Sequence, residues 1–217
     1  MKILCFGDSI TFGEIDTKNG GWVDHLKDDF IRQYADSIRQ EVTLYNLGIC
    51  GETTDGLSTR FSIEFNARLV KGQKSLVIFS YGINDIVIHK NNNIVPKKYF
   101  IRNLKSCVDT AKSKDACVIL SSLTPISDSI DGEVNQHDKL RYSKDIDIYN
   151  TALQKFASEN NCFYLEVYSE FEKCKNQFLS KDGIHPNSEG HLLIYRRIKE
   201  LLENEIDPCC DKPISSN

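Results

Sequence analysis

Three short runs hold side chains able to do covalent chemistry together: Gly7-Asp8-Ser9-Ile10, Gly82-Ile83-Asn84-Asp85 and Lys181-Asp182-Gly183-Ile184-His185-Pro186-Asn187. The chemistry would be acyl transfer. A hydrolase that works through serine needs a nucleophile, a base, a group that orients the base, and donors for the oxyanion. Ser9 suits the first role, because a tight turn after a strand can expose its hydroxyl. A helix start there would also leave backbone N–H groups free for a developing negative charge. Asp182 and His185 stand three apart, close enough for the carboxylate to reach the imidazole through a local turn. Such a bond would fix the tautomer and stabilise the imidazolium. Pro186 restricts His185 to an extended backbone, holding it out of any following helix. The Asn84 amide can donate to an oxyanion, and Gly51, without a Cβ, can bring a backbone N–H close.

Each piece also has a plainer reading. Gly-Asp-Ser is equally a helix N-cap, Asp-x-x-His an Asx turn with a surface histidine, and Asn84-Asp85 a capped turn. What separates the readings is whether the fold brings the pieces together. Five short apolar runs read as strands: Lys2–Phe6, Val42–Asn46, Ser75–Ser80, Cys117–Ser121 and Cys162–Leu165. They are nearly continuous in apolar residues, as strands buried on both faces are. Between them the period becomes helical, with Phe100, Leu104, Cys107, Val108 and Ala111 on one face. Tyr149, Leu153, Phe156 and Ala157 share another, and Ile194, Ile198, Leu201 and Leu202 a third. Pro96 suits a first helical turn, and Asn187 or Ser188 can cap the last helix. The alternation predicts a three-layer α/β/α sandwich around a five-stranded parallel sheet, one domain over residues 1–205 and a polar tail over 206–217. Ligands of such sheets bind beyond the carboxyl ends of the strands. Gly7-Asp8-Ser9, Gly48-Ile49-Cys50-Gly51 and Gly82-Ile83-Asn84-Asp85 follow the first three strands, so they should converge on one edge.

The ordered set Gly7-Asp8-Ser9, Gly51, Gly82-Ile83-Asn84-Asp85 and Asp182-Gly183-Ile184-His185 resembles the blocks of the SGNH (GDSL-type) hydrolases, esterases and lipase-like enzymes. The resemblance runs from about Lys2 to Leu202. It implies a flavodoxin-like strand order and cleavage of carboxylic esters through an acyl-enzyme on Ser9. His185 would be the general base and then the general acid, oriented by Asp182. The Ser9 and Gly51 N–H groups and the Asn84 amide would form the oxyanion hole. Asp8 and Asp85 would hold loops. No metal or organic cofactor is called for. Cys50 departs from the family pattern, which more often has serine or alanine there, and suggests sensitivity to thiol reagents.

Composition excludes other classes. The formal net charge is −4, from 27 Lys+Arg against 31 Asp+Glu, which disfavours a nucleic-acid groove or a polybasic membrane surface. The apolar run Ile3-Leu4-Cys5-Phe6 stops at Gly7-Asp8, too short for a leader or a membrane span, so a cytoplasmic protein is expected. Of eight cysteines, Cys5, Cys107, Cys117 and Cys162 fall on apolar positions and read as small hydrophobes, while Cys209-Cys210 lies in the polar tail. No G-x-S-x-G, G-x-G-x-x-G, Walker loop or H-E-x-x-H occurs. His191 sits in a helical period and reads as a helix-face residue; His25, His89 and His137 have no acidic partner in a recognisable pattern. A non-catalytic binder on the same fold, a thioesterase and an acyltransferase are the alternatives. The pocket is expected from Phe12–Trp22, Ile86–Val95 and Leu123–Ser143, the last a polar, flap-like segment. That polarity favours short acyl or acetyl esters of small alcohols or sugars over long lipids.

Overall fold

A computed structural model describes residues 1–37, 42–135 and 138–206. His137, Cys209, Cys210 and residues 207–217 of the tail lie outside the described residues. The chain begins β1 (Lys2–Gly7), α1 (Ser9–Phe12), α2 (Trp22–Ser37), β2 (Thr43–Gly48), α3 (Thr54–Asn66) and β3 (Ser75–Ser80). A small hairpin, β4 (Ile88–His89) and β5 (Asn92–Asn93), leads into α4 (Lys97–Lys112) and β6 (Cys117–Ser121). The chain continues through α5 (Ser143–Glu159), β7 (Phe163–Leu165), α6 (Tyr168–Lys173), α7 (Lys175–Phe178) and α8 (Ser188–Leu201).

The main sheet is five-stranded and parallel, in the order β2-β1-β3-β6-β7. That is the flavodoxin-like order the resemblance implies. Helix α2 packs on α8 to cover one face, and α3, α4 and α5 pack side by side on the other. The central strands carry the core because both their faces are covered. Ile3 to Phe6 on β1, Leu76 to Phe79 on β3 and Val118 to Leu120 on β6 are all buried. Phe6, Phe61 and Phe79 interlock, with Phe6 edge-on to Phe61 at 4.9 Å between ring centroids and Phe61 5.2 Å from Phe79. Tilted and edge-on contacts of this kind add to simple burial.

Strand boundaries differ from the sequence expectation mainly at the sheet edges. The edge strand β2 runs to Gly48 rather than stopping at Asn46, because Gly7 still pairs with Gly48. Cys162 precedes β7 instead of opening it, and Pro96 is the residue before α4 rather than its first turn. Asn187 caps α8, accepting the N–H groups of Glu189 and Gly190. Register is what matters for function. Gly7 pairs with both Gly48 and Ser80, so the loops after β1, β2 and β3 leave the sheet at one level.

Candidate active site

The nucleophile candidate stands at the start of a one-turn helix. Asp8 caps α1 by accepting the Ile10 N–H at 2.9 Å, so the plain N-cap reading of Gly-Asp-Ser is correct. It does not compete with the chemical reading, since the cap belongs to Asp8 and the hydroxyl to its neighbour. Ser9 is buried, and its Oγ lies 2.8 Å from His185 Nε2. Gly13 ends the helix with φ 95°, a left-handed conformation that glycine adopts without a Cβ clash. The N–H groups of Gly13 and Glu14 both donate to the Ser9 carbonyl, each at 3.0 Å. The reversal brings Glu14 back over the turn, its Oε2 3.6 Å from His185 Nε2. Ile15 follows with φ 71°, a strained setting for a β-branched residue that costs about 1–3 kcal/mol.

The base sits on a loop that one carboxylate organises. Asp182 Oδ1 accepts the Ile184 N–H at 2.9 Å, the His185 N–H at 3.0 Å and the Ser180 hydroxyl at 2.6 Å. Its Oδ2 lies 2.5 Å from His185 Nδ1. The Asx turn and the imidazole contact therefore use different oxygens of one side chain. Burial raises the Asp182 pKa, but its hydrogen bonds from His185, Ser180 and the two backbone N–H groups prevail and hold it well below the usual carboxylate range. Burial pulls His185 down, and the Asp182 bond with the charges of Asp182, Glu14 and Asp8 prevails, raising it. Nδ1–H toward the carboxylate leaves Nε2 to accept the Ser9 proton.

The oxyanion candidates lie on the neighbouring loops. Gly51 has φ 78° in open space, a conformation that favours glycine. Among the described residues, no protein acceptor takes the Ser9 or the Gly51 N–H. Asn84 Nδ2 donates to the Glu52 carbonyl at 3.2 Å, which ties the loop after β3 to the one after β2. Glu52 itself is clamped, its Oε2 taking Arg60 Nη2 and the Tyr81 hydroxyl, both at 2.6 Å. Asp85 accepts the Thr54 N–H at 3.0 Å and the Thr54 hydroxyl at 2.5 Å.

Arg141 was not singled out by any sequence motif. It is buried, and its fork donates from Nε to the Ile83 carbonyl at 2.7 Å and from Nη2 to Asn84 Oδ1 at 3.2 Å. With Oδ1 thus occupied, the Asn84 amide presents its NH₂ group on the other side. Arg141 Nη1 has no partner among the described residues. The segment that carries it, Leu123–Ser143, is anchored at its start and near Leu140, while Asp128, Ser129 and residues 131–134 are exposed, as expected of a polar flap. Leu123, Thr124 and Ile126 are buried, and Leu140 accepts the Ile88 N–H at 2.9 Å. In the sequence Arg141 is one of two cations, with Lys139, in a loop that also carries Asp128, Asp131, Glu133 and Asp138.

Burial sets the charges beneath the site. It raises Asp8 to about 6, against the Ile10 N–H and the nearby His185 and Arg141, and raises Asp85 to about 7 against the Thr54 bonds. It lowers Arg141 to about 10, with Asp8 and Asp182 opposing, so the guanidinium stays charged near neutrality. Lys139, on the same segment, is held below its ordinary range by burial and by Arg141. The exposed Cys50 thiol is pushed up to about 11 by desolvation and the Glu14 carboxylate. It is therefore protonated at neutral pH, which argues against the expected thiol-reagent sensitivity.

The other histidines stand apart. His191 is buried in α8, accepts the Trp22 N–H at 3.3 Å and is lowered to about 4 by burial. His25 does have an acidic neighbour, Asp16 at 4.0 Å, brought there by the fold across nine residues of sequence, and it stacks on Tyr195. Among the described residues, no group of three or more His, Cys, Asp and Glu side chains is placed to hold a metal ion. No helix among them is long and apolar enough to cross a membrane.

Comparison with known proteins adds a family. Residues 5–193 match the model of the GDSL-like lipase/acylhydrolase family. Among solved structures, a member of the lipolytic protein G-D-S-L family from Veillonella parvula aligns with TM-score 0.71 and 22% identity, over 94% of this chain and 99% of its own. Axe2, an acetylxylan esterase from Geobacillus stearothermophilus, aligns with TM-score 0.70 and 21% identity, over 94% of each chain. The acetyl xylan esterase AlAXEase aligns with TM-score 0.71 and 20% identity, over 93% of this chain and 100% of its own. At these identities the structural likeness shows the fold. No curated protein sequence matches significantly.

Proposed function

Because the chain belongs to the GDSL-like lipase/acylhydrolase family and is a carboxylic ester hydrolase, we propose that it cleaves short-acyl esters through an acyl-enzyme on Ser9. The observation that carries this reading is the continuous chain from Ser9 Oγ through His185, 2.8 Å at Nε2 and 2.5 Å from Nδ1 to Asp182. As Ser9 Oγ bonds the acyl carbon, its proton moves to His185 Nε2. The ester C–O bond then breaks and that proton leaves with the alcohol. Water repeats the cycle in reverse, giving its proton to His185 and releasing the acid and free Ser9. The Ser9 and Gly51 N–H groups and the Asn84 amide hold the negative oxygen, and Arg141 acts as a positioning residue that keeps the amide turned.

The acyl group is small in this reading. The small pocket next to the nucleophile turn, lined by Asp8, Tyr81, Ile83 and Leu123, is only about 10 Å³, room for roughly one water. An acyl chain cannot descend there. The acetyl esterase names of two structural neighbours point the same way. A series of nitrophenyl esters tests this directly. Turnover should fall once the acyl chain exceeds a few carbons, and a preference for long chains would overturn the reading.

A further inference from the structure

Resting on that serine-esterase reading, we infer that Glu14 forms the alcohol-side subsite and selects neutral, hydroxyl-bearing alcohols over anionic ones. His185 Nε2 both receives the Ser9 proton and delivers it to the departing alkoxide, so the leaving oxygen must come within hydrogen-bond distance of that nitrogen. Any group already beside Nε2 borders the leaving alcohol. Glu14 Oε2 is such a group, at 3.6 Å.

Its position is built in rather than incidental. The Glu14 N–H is fixed on the Ser9 carbonyl at 3.0 Å, behind the left-handed Gly13. The next residue, Ile15, holds φ 71°, a conformation that a β-branched residue adopts only when its surroundings impose it. Ile15 and Asp182 both line an open trough of about 560 Å³, with Leu179, Ser180 and Lys181. The trough thus lies next to Glu14 in the chain through Ile15, and it touches the triad through Asp182.

A carboxylate accepts hydrogen bonds and donates none. Placed beside the leaving oxygen, it favours alcohols that carry further hydroxyls, such as a polyol or a sugar. It repels alcohols that carry a carboxylate or phosphate, and Asp182 and Asp8 add charge of the same sign near His185. Two cations oppose this charge, Lys181 in the trough wall and Lys139 within Coulomb reach of Glu14, while Arg141 is bonded to Asn84 on the oxyanion side.

Three acetate esters with equal acyl groups decide the matter: glycerol monoacetate, propyl acetate and 3-acetoxypropionate. Wild-type kcat/KM should favour the glycerol ester over the carboxylate ester by about tenfold or more. In Glu14→Gln that ratio should shrink to about threefold or less, and Glu14→Lys should invert it. The wild-type ratio should also fall as salt is added, because Glu14 is partly exposed to solvent. An unchanged ratio in Glu14→Gln, or an equal loss on all three esters, would overturn the subsite. Ser9-dependent turnover in the same assays would still uphold the serine reading. Failure of the wild type on every ester would remove both.

Discussion

The two sides of the Ser9 hydroxyl are built in opposite ways. The oxyanion side is made from strand ends locked by the sheet. Gly51 and Asn84 follow β2 and β3, are tied together through Glu52, and are backed by the buried cation Arg141. The base side is a loop between α7 and α8 that a single carboxylate folds around itself, with acidic Glu14 across from it. Under the proposed mechanism, Arg141 stands behind the side where a negative oxygen would develop, and Asp182 and Glu14 flank the side where an imidazolium would. In that reading, the groups next to Ser9 are placed for charges that would form in the transition state rather than for the resting enzyme.

The largest loss is expected on the base side. Asp182→Asn should remove the carboxylate that fixes both loop and tautomer, lowering kcat by about 10⁴-fold, as measured by steady-state turnover with folding checked by circular dichroism. A loss under tenfold would mean the loop positions His185 without it. On the other side, Asn84→Ala should cost about 10²–10³-fold in kcat with little change in KM. A purely raised KM would place Asn84 in ground-state binding instead.

How far this asymmetry was legible in the sequence depends on how local each signal is. Ser9, Gly51, Asn84, Asp182 and His185 could be picked as candidates because each sits in a short block at a predicted strand end or helix start, and the Ser9–His185–Asp182 contacts follow in the fold. The strands themselves were legible from unbroken apolar runs, best at the centre, where both faces are covered. The places of Glu14 and Arg141 beside these candidates could not be read. Glu14 reaches the base only through the left-handed turn at Gly13, and Arg141 meets Asn84 across 57 residues of sequence. No spacing rule encodes such contacts. The same is true of the His25–Asp16 pair, which tertiary folding alone creates.

Arg141 should have a smaller effect. Arg141→Met should lower kcat about tenfold by freeing the Asn84 amide, comparable to the loss of one charged hydrogen bond. The Asn84→Ala background should abolish that effect, because the arginine acts through the amide. Equal losses in both backgrounds would assign Arg141 a general structural role. Beneath both sides, burial raises Asp85 to about 7, so the folded state binds a proton that the unfolded chain has already released. Stability from this group is complete below the ordinary carboxylate value and declines as pH rises from about 4 to 7. Denaturant titrations should show Asp85→Asn flattening that decline by up to about 4 kcal/mol. A slope unchanged by the substitution would contradict the burial argument.

The central claim is that Ser9 is activated by His185. The direct measurement is intact-mass detection of a fluorophosphonate adduct on the folded protein, with its rate followed against pH. The wild type should gain one label, faster as pH rises through a midpoint above the ordinary imidazole value of ~6.5, because Asp182 raises His185. Ser9→Ala should take none, and His185→Ala should react far more slowly. A folded wild type that takes no label, or a label that persists in Ser9→Ala, would contradict the account.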